Sequence, residues 1–496
     1  MGASVKVMRY QKLYFLFIGL IVGWIAVSYW CNQCDDAYIF YSYAKNISDG
    51  KGYVFNLGEK VNATTSPLYT LMLAGARLAT LKKVELPVIG HAINALSLLA
   101  LCIFLFMCLK RFGKARYIAP LLLLANPLLY NAPGMDVMLS LAIGMAFLYH
   151  FIYGKKNTAA ALGALAVLAR PDMIALVAIA YTFGWLKYRS FGVPSLKEVL
   201  IFLSVLAPWI VFSLCYFGDI VPASVAAKMD QQLSGCFYEK YAFLSALFNP
   251  VIYTSTAHRT WTLCAFASCI GCALFRYKQM SRSDFVMICL TWIVGYTVAY
   301  GLILKTPPFP WYYVIYSLLP AIVLPAVVDN ALTDIGHIVS GVIVAVVSGV
   351  IVAVAICVSY PAAKTGLPQM QESWKNKMYR AFAEWMNAKA PGSSLATNEI
   401  GILRYYMESG RIIDMVGLVT PGVSEKIRAK DYYGVIDAHK PDYVLINGMR
   451  TKHIKPRGAE AVVYDSRFTS KYKVQATALI GDFRKFELWG RYAKPD

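Results

Sequence analysis

Cys31-Asn32-Gln33-Cys34-Asp35-Asp36-Ala37-Tyr38 follows directly on an apolar run from Leu13 to Trp30 that is long enough to cross a bilayer. Adjacent acids at the end of such a segment are expensive to keep near lipid, and intramembrane or mouth-of-helix carboxylates mark functional sites by default. The pair therefore reads as a catalytic carboxylate facing water and a lipid-borne substrate. The Leu13 to Trp30 run has no small-residue cleavage site after it, so it reads as a retained helix and not a removed signal peptide.

The rest of the composition agrees with a membrane-embedded chain. Of 496 residues, 58% are hydrophobic and 15% are charged, against about 25% charged in a soluble protein. Mean hydropathy is +0.50. The net charge of +20 does not point to nucleic acid, because the basic residues sit in short polar gaps between apolar runs, as the positive-inside rule produces. Most of the eleven cysteines lie inside apolar runs and read as small hydrophobes. Cys31-x-x-Cys34 lies beside the acids and could close on itself or pair with Cys236, but an isolated CxxC without a βαβ pattern is weak evidence for redox work.

Basic clusters set the topology. Lys6, Arg9 and Lys12 place the N-terminus in the cytoplasm, and the clusters at 110–116, 155–156, 187–189 and 276–282 follow on the same side. For this to hold, 38–50 and 66–83 must lie as interfacial helices on the outer leaflet, within a 31–87 segment. The expected spans are 13–30, 88–109, 117–131, 136–153, 158–169, 172–187, 196–217, 260–275, 285–304, 311–328 and 337–358, about eleven transmembrane helices. Asp35-Asp36, Asp136, Arg170-Pro171-Asp172, the loop 218–259 and the stretch 305–313 then share the outer face. The chain divides into a transmembrane module over 1–359 and a C-terminal α/β soluble domain over 360–496, which contains no span and no Cys. In that domain a helix is expected over Trp374 to Lys389. Strands are expected at Ser394 to Thr397, Arg411 to Met415, Tyr443 to Ile446, 461–465, 473–478 and 483–489.

Four segments carry the chemistry. The first is Asp35-Asp36-Ala37-Tyr38-Ile39-Phe40-Tyr41-Ser42-Tyr43-Ala44-Lys45-Asn46, with Gly50-Lys51-Gly52-Tyr53-Val54-Phe55-Asn56 and Gly58-Glu59-Lys60-Val61 behind it. The second is Pro133-Gly134-Met135-Asp136, the third Ala169-Arg170-Pro171-Asp172, and the fourth runs from Tyr216 to Lys228. Together, in this order and over the whole chain, they resemble the GT-C class of integral membrane glycosyltransferases. More narrowly they resemble the mycobacterial terminal arabinofuranosyltransferases and the arabinosyltransferase of type IV pilin. Thr397-Asn398-Glu399-Ile400-Gly401 and Asp414-Met415-Val416-Gly417-Leu418 extend the resemblance. The chain departs from it with Asp136 where relatives commonly have Glu, and with Ala63-Thr64-Thr65-Ser66-Pro67 where they have a Thr-Asn-Pro step.

The resemblance implies a polytopic GT-C-like fold and an inverting transferase of the bacterial inner (plasma) membrane, with its site on the periplasmic side. It would move a sugar, D-arabinofuranose first, from a polyprenyl phosphate to a hydroxyl of a surface protein such as pilin or of a polysaccharide. A hexosyl or aminoarabinosyl transferase acting on lipopolysaccharide is the alternative, and a polyprenyl-lipid transporter the rival of another class. Such a donor needs cations for the leaving phosphate, and Arg170 and Lys228 are the candidates, with His258 and Arg259 as further phosphate contacts. A carboxylate must take the acceptor proton, which Asp35 or Asp36 can do, with Asp136 as a second acid. Tyr38, Trp311, Tyr312 and Tyr313 are candidates for sugar or acceptor binding, beside the bland reading of an aromatic belt. The carboxylates could bind a divalent cation, but no spacing selects a metal.

Overall fold

The computed structural model describes residues 2–29, 33–189, 193–235, 239–248, part of 259–270, 280–333 without 282, 374–449, 458–480 and 484–492. The chain is mostly helical. In order come α1 (Gly2–Tyr29), α2 (Asp35–Ser48), α3 (Pro67–Ala79), α4 (Leu86–Cys108), α5 (Ile118–Leu124), α6 (Val137–Ile152), α7 (Lys156–Ala169), α8 (Met173–Tyr188) and α9 (Leu196–Phe217). They are followed by α10 (Ala223–Ser234), α11 (Ala242–Ala246), α12 (Asp284–Val298) and α13 (Leu318–Thr333). Among the described residues, five helices are long and apolar enough to cross a membrane: Tyr10–Ser28, Leu86–Cys108, Leu196–Phe217, Asp284–Ile303 and Pro310–Asp329. Shorter apolar helices, α6, α7 and α8, lie beside them.

Helix α7 has 14 residues, about 21 Å at 1.5 Å per residue, short of the roughly 30 Å hydrocarbon core. Its sequence explains where it can sit. Ala159, Ala160, Gly163, Ala164 and Ala166 are buried, and such small residues let neighbouring backbones approach closely. Gly163 lies against Phe147 of α6 and Val177 of α8. The expected span 117–131 is not one helix: α5 ends at Leu124, and a 3-10 turn over Pro127–Asn131 follows, because Pro127 has no N–H to continue the ladder. The expected span 337–358 and the domain boundary at 360 lie outside the described residues, and 260–275 lies there in part.

The two ends of the bundle differ in chemistry. At one end Lys187 Nζ meets Asp284 Oδ1 at 2.5 Å, Lys110 covers the Tyr153 ring at 3.4 Å, and the Tyr14 hydroxyl donates to Tyr117 O. These are the lysine- and arginine-rich turns. At the other end lie α2 and α3. They sit beside the starts of α6 and α8 and the ends of α7 and α12.

Over that second end rests a five-stranded sheet of order β2-β1-β3-β5-β4. Its strands are β1 (Ser394–Thr397), β2 (Arg411–Asp414), β3 (Tyr443–Met449), β4 (Tyr472–Ile480) and β5 (Arg484–Arg491). Strands β1, β2 and β3 run parallel, and β5 and β4 close the sheet antiparallel. Helix α14 (Trp374–Lys389) precedes the sheet, and α15 (Gly401–Tyr406) and α16 (Val423–Arg428) connect its strands. The strand expected at 461–465 is instead part of a 3-10 turn, Gly458–Tyr464, entered through Gly458 at φ +61°.

The sheet region is held by groups that read backbone. Asn56 Nδ2 donates to Ile412 O at 2.8 Å and Asn56 Oδ1 accepts from Ile412 N at 3.0 Å. Arg411 Nε meets Glu59 Oε1 at 2.5 Å. Arg404 Nε donates to Phe55 O, Lys45 Nζ to Tyr405 O, and Asn376 Nδ2 to Gln33 O. Asn46 shapes the platform from below by donating to Val54 O and Phe55 O. The Asn and Glu positions of the first sequence motif thus build a dock for the C-terminal sheet.

Candidate active site

A cavity of about 150 Å³ opens between the bundle end and the sheet region. Its wall includes Asp36, Phe40, Thr64, Met135, Arg170, Asp172, Ser224, Lys228, Tyr300, Trp311, Tyr312 and Leu418. Each arrives by a local device. Gly218, at φ +83°, ends α9 in the left-handed conformation that glycine tolerates. Asp219 Oδ1 then accepts from Val221 N at 2.9 Å and fixes the turn, and Ala223 N donates to Asn62 O. This starts α10 with Lys228 facing the cavity. A π-turn over Ala299–Ile303 ends α12 and presents Tyr300, an irregularity found often at functional sites. Lys305, at φ +49°, reverses the chain and brings 306–312 back into the wall.

The acids separate. Asp36 is half-buried and opens into the cavity. Burial pushes its carboxyl above the usual range, opposed most by the charge of Lys228. Asp35 points the other way. Its oxygens accept from Gly401 N and Ile402 N, both at 2.9 Å, so it caps the first turn of α15, where orphan N–H groups need an acceptor. Burial, with Glu399 adding to it, pushes Asp35 up to about 7 against Lys375 and those two donors. Asp35 does not line the cavity, and the structure assigns it to the seam.

Asp136 is fully buried and stands behind the wall. Its Oδ1 meets Arg170 Nη1 at 3.3 Å, while Asp172 takes Arg170 in a two-pronged contact, Nε to Oδ1 at 3.1 Å and Nη2 to Oδ2 at 2.8 Å. The Tyr300 hydroxyl also donates to Asp172 Oδ2 at 2.9 Å. The sequence reading takes Arg170 as a phosphate-binding cation. The structure brings it to the cavity already neutralised by two carboxylates.

Lys228 is different. Its Nζ lies 5.1 Å from the Phe309 ring centroid and 5.5 Å from those of Trp311 and Tyr312, and no ion pair joins it to a carboxylate among the described residues. Burial works against its charge, yet Tyr312 and Asp36 hold the ammonium above the usual lysine range. Phe309 and Trp311 stack at 4.8 Å and 4°, a flat apolar shelf beside the cation.

The remaining sequence candidates divide. Trp311 and Tyr312 line the cavity. Tyr313 does not: it is buried, stacks on Phe243 and donates to Phe243 O at 2.7 Å. Tyr38 is buried in the seam between Tyr41 and Tyr405. Arg259 is outside the cavity wall, and His258 lies outside the described residues, as do Cys31 and Cys236. Among the described residues, no group of three or more His, Cys, Asp or Glu is gathered closely enough to hold a metal ion. The sequence reading assigns no role to Asp172, Tyr300, Phe309 or Leu418. Asp172, two residues from Arg170, was open to inference; Leu418, far away in sequence, was not.

A family model for a domain of unknown function, DUF8728, matches residues 368–492, the C-terminal sheet region. No curated protein matches the chain. Solved structures do. ArnT from Cupriavidus metallidurans in the apo state aligns with a TM-score of 0.58 at 13% identity, over 97% of this chain and 98% of that one. The same protein bound to undecaprenyl phosphate aligns with a TM-score of 0.56 at 14% identity, over 96% and 98%. The chain is therefore a polytopic α-helical membrane protein with the GT-C-like fold of ArnT and a C-terminal α/β region.

Proposed function

We propose that the protein is an inverting, polyprenyl-phosphate-dependent glycosyltransferase of the inner membrane. Its membrane module extends through 359, its α/β domain begins at 360, and its cavity faces the periplasm. The observation that carries the reading is a cavity in which Asp36 and Lys228 share the wall, Lys228 having no carboxylate ion pair among the described residues, beside the stacked Phe309 and Trp311 rings. An open carboxylate and an open cation suit a transfer in which a phosphate leaves and a hydroxyl loses its proton. The likeness to ArnT, solved with undecaprenyl phosphate, supports a polyprenyl phosphate as the lipid.

In the step we derive, the bond from the anomeric carbon to the phosphate oxygen breaks and its electron pair leaves with the lipid phosphate. Lys228 stabilises that charge in a water-poor site. The acceptor oxygen bonds the anomeric carbon from the opposite face, and its proton passes to Asp36. One displacement inverts the centre. The Asp136–Arg170–Asp172 group holds the cavity wall and keeps a net negative charge near the cationic sugar. Trp311, backed by Phe309, offers the sugar an apolar face.

D-arabinofuranose transferred to a pilin or polysaccharide hydroxyl is the first reading of the substrates. A hexosyl or aminoarabinosyl transfer to lipopolysaccharide is the second, and the likeness to ArnT fits its aminoarabinosyl form. The test is transfer by purified protein from undecaprenyl-phosphoryl arabinofuranose and from its 4-amino-4-deoxyarabinose counterpart to a panel of acceptors. Transfer that survives Asp36→Asn at the wild-type rate would falsify the carboxylate mechanism, and lipid movement across vesicles without transfer would favour a transporter.

A further inference from the structure

The C-terminal region contributes one side chain to the cavity among the described residues, Leu418. The loop that carries it is built with unusual care. The buried carboxylate of Asp414 accepts from Val416 N at 2.9 Å, from Val419 N at 3.0 Å and from Leu418 N, while Asp414 N donates to Thr420 Oγ1 at 2.8 Å. Gly417, at φ +86°, turns the loop, and a Cβ there would press on Ser424 N at 2.9 Å. Such a buried acid wrapped in N–H donors fixes a loop shape that hydrophobic packing alone would leave loose.

The same loop is tied to the helix that carries the cation. Gln231 Nε2 donates to Val416 O at 3.1 Å, and Gln231 lies three residues after Lys228, on the same face of α10. Arg428 and Asp230 add a contact at 3.5 Å. The rim of the cavity is thus of two kinds. Val225, Met229 and Leu304 are apolar and more than a third exposed, which suits a lipid tail. Leu418 is 9% exposed and belongs to the region outside the bundle.

We infer that the 414–420 loop is the acceptor-side lip of the cavity, with Leu418 setting the size of hydroxyl acceptor admitted and Asp414 acting as its positioning residue. This rests on the transferase reading above and gives the DUF8728 region a part in substrate selection. An apolar wall residue discriminates by fit, and one methylene in such a wall changes kcat/KM by about 10- to 200-fold at most.

The experiment uses the full-length protein in detergent with whichever undecaprenyl-phosphoryl sugar it turns over. Water, glycerol and methyl arabinofuranoside serve as a size series of acceptors. Leu418→Trp should lower transfer to the glycoside about 10-fold or more relative to water, with the donor KM within 2-fold. Leu418→Ala should raise the glycoside-to-water ratio about 3-fold or more, and Asp414→Asn should follow Leu418→Ala with a smaller change. Binding of undecaprenyl phosphate reports that each variant is folded. If the wild type turns over no such donor, the transferase reading fails. If it does, and the acceptor ratios stay fixed or the donor KM moves with them, the lip assignment alone falls.

Discussion

Two buried charge groups stand side by side at the end of the bundle, and one dipeptide supplies both. In the seam, Asp35 meets Gly401 N and Ile402 N, and Lys375 is paired with Glu399 at 2.6 Å. In the cavity, Asp36 and Lys228 line one wall within reach of each other's field, and Lys228 rests on aromatic rings. The seam has matched its donors and acceptors; in the cavity Asp36 and Lys228 make no direct ion pair among the described residues, and Lys228 is held by Tyr312 and by the field of Asp36. Buried charge is costly unless paired, so on the proposed reading a ligand completes the second group, whereas the fold completes the first.

The sharpest way to break this comparison is to replace the two acids in turn. Asp36→Asn should lower kcat by about 10²- to 10⁴-fold, the range for loss of a general base, with undecaprenyl phosphate still bound. Asp35→Asn should act first on stability and on protease resistance of the 374–449 segment. Equal losses of kcat at unchanged stability would show that the two carboxylates share one job.

Next comes the wall. Arg170→Leu leaves Asp136 and Asp172 facing each other without a cation, and Asp136 is fully buried. Breaking such a group by removing one partner costs about 3–5 kcal/mol. The thermal midpoint in detergent should fall steeply, and Arg170→Lys should recover only part, since an ammonium cannot make the two-pronged contact with Asp172. A variant of wild-type stability would mean that Arg170 is held for the phosphate.

The dock itself should be sensitive to one methyl group. A Cβ on Gly401 would run into the backbone carbonyl of Asp35 and press on Tyr38 Cβ at 3.1 Å. Overpacking of this kind costs about 1–3 kcal/mol, so Gly401→Ala should raise hydrogen exchange at 401–406 and 411–414 while the bundle stays protected. Exchange that rises evenly across the chain would instead make the two regions a single cooperative unit.

How much of this could be read beforehand follows from range. The long apolar runs, the helices α2 and α3 and most strands of the sheet declare themselves through local composition and period. The gathering of Asp36, Arg170, Lys228 and Trp311 was legible from the basic clusters, which sort the connecting segments onto two faces. The fate of Asp35 was not, since its partners are more than 360 residues away. The neutralisation of Arg170 depends on how α6 and α8 meet, and Leu418 on how the C-terminal region docks. The motif of Asn46, Asn56 and Glu59 was visible as a pattern, but its work, holding the sheet, appears only once Ile412 and Arg411 are beside it.

The smallest effect is the most direct probe of the seam. Burial pushes both Asp35 and Glu460 up to about 7, whereas an unfolded carboxyl releases its proton near its ordinary value of about 4. Between about pH 4 and 7 the folded chain therefore holds protons that the unfolded chain has lost. Stability from these groups is full below that window and is lost as pH rises through about 7, with a slope of up to about 1.4 kcal/mol per pH unit for each proton. In Asp35→Asn one of these protons no longer titrates, so the fall in thermal midpoint between pH 5 and pH 7 should flatten, and adding Glu460→Gln should flatten it further, while Asp414, which burial pushes up to about 6, keeps part of the slope in both variants. A slope unchanged in both variants would place the titration elsewhere, and would mean that the seam holds its carboxylates charged by virtue of the N–H donors and Lys375.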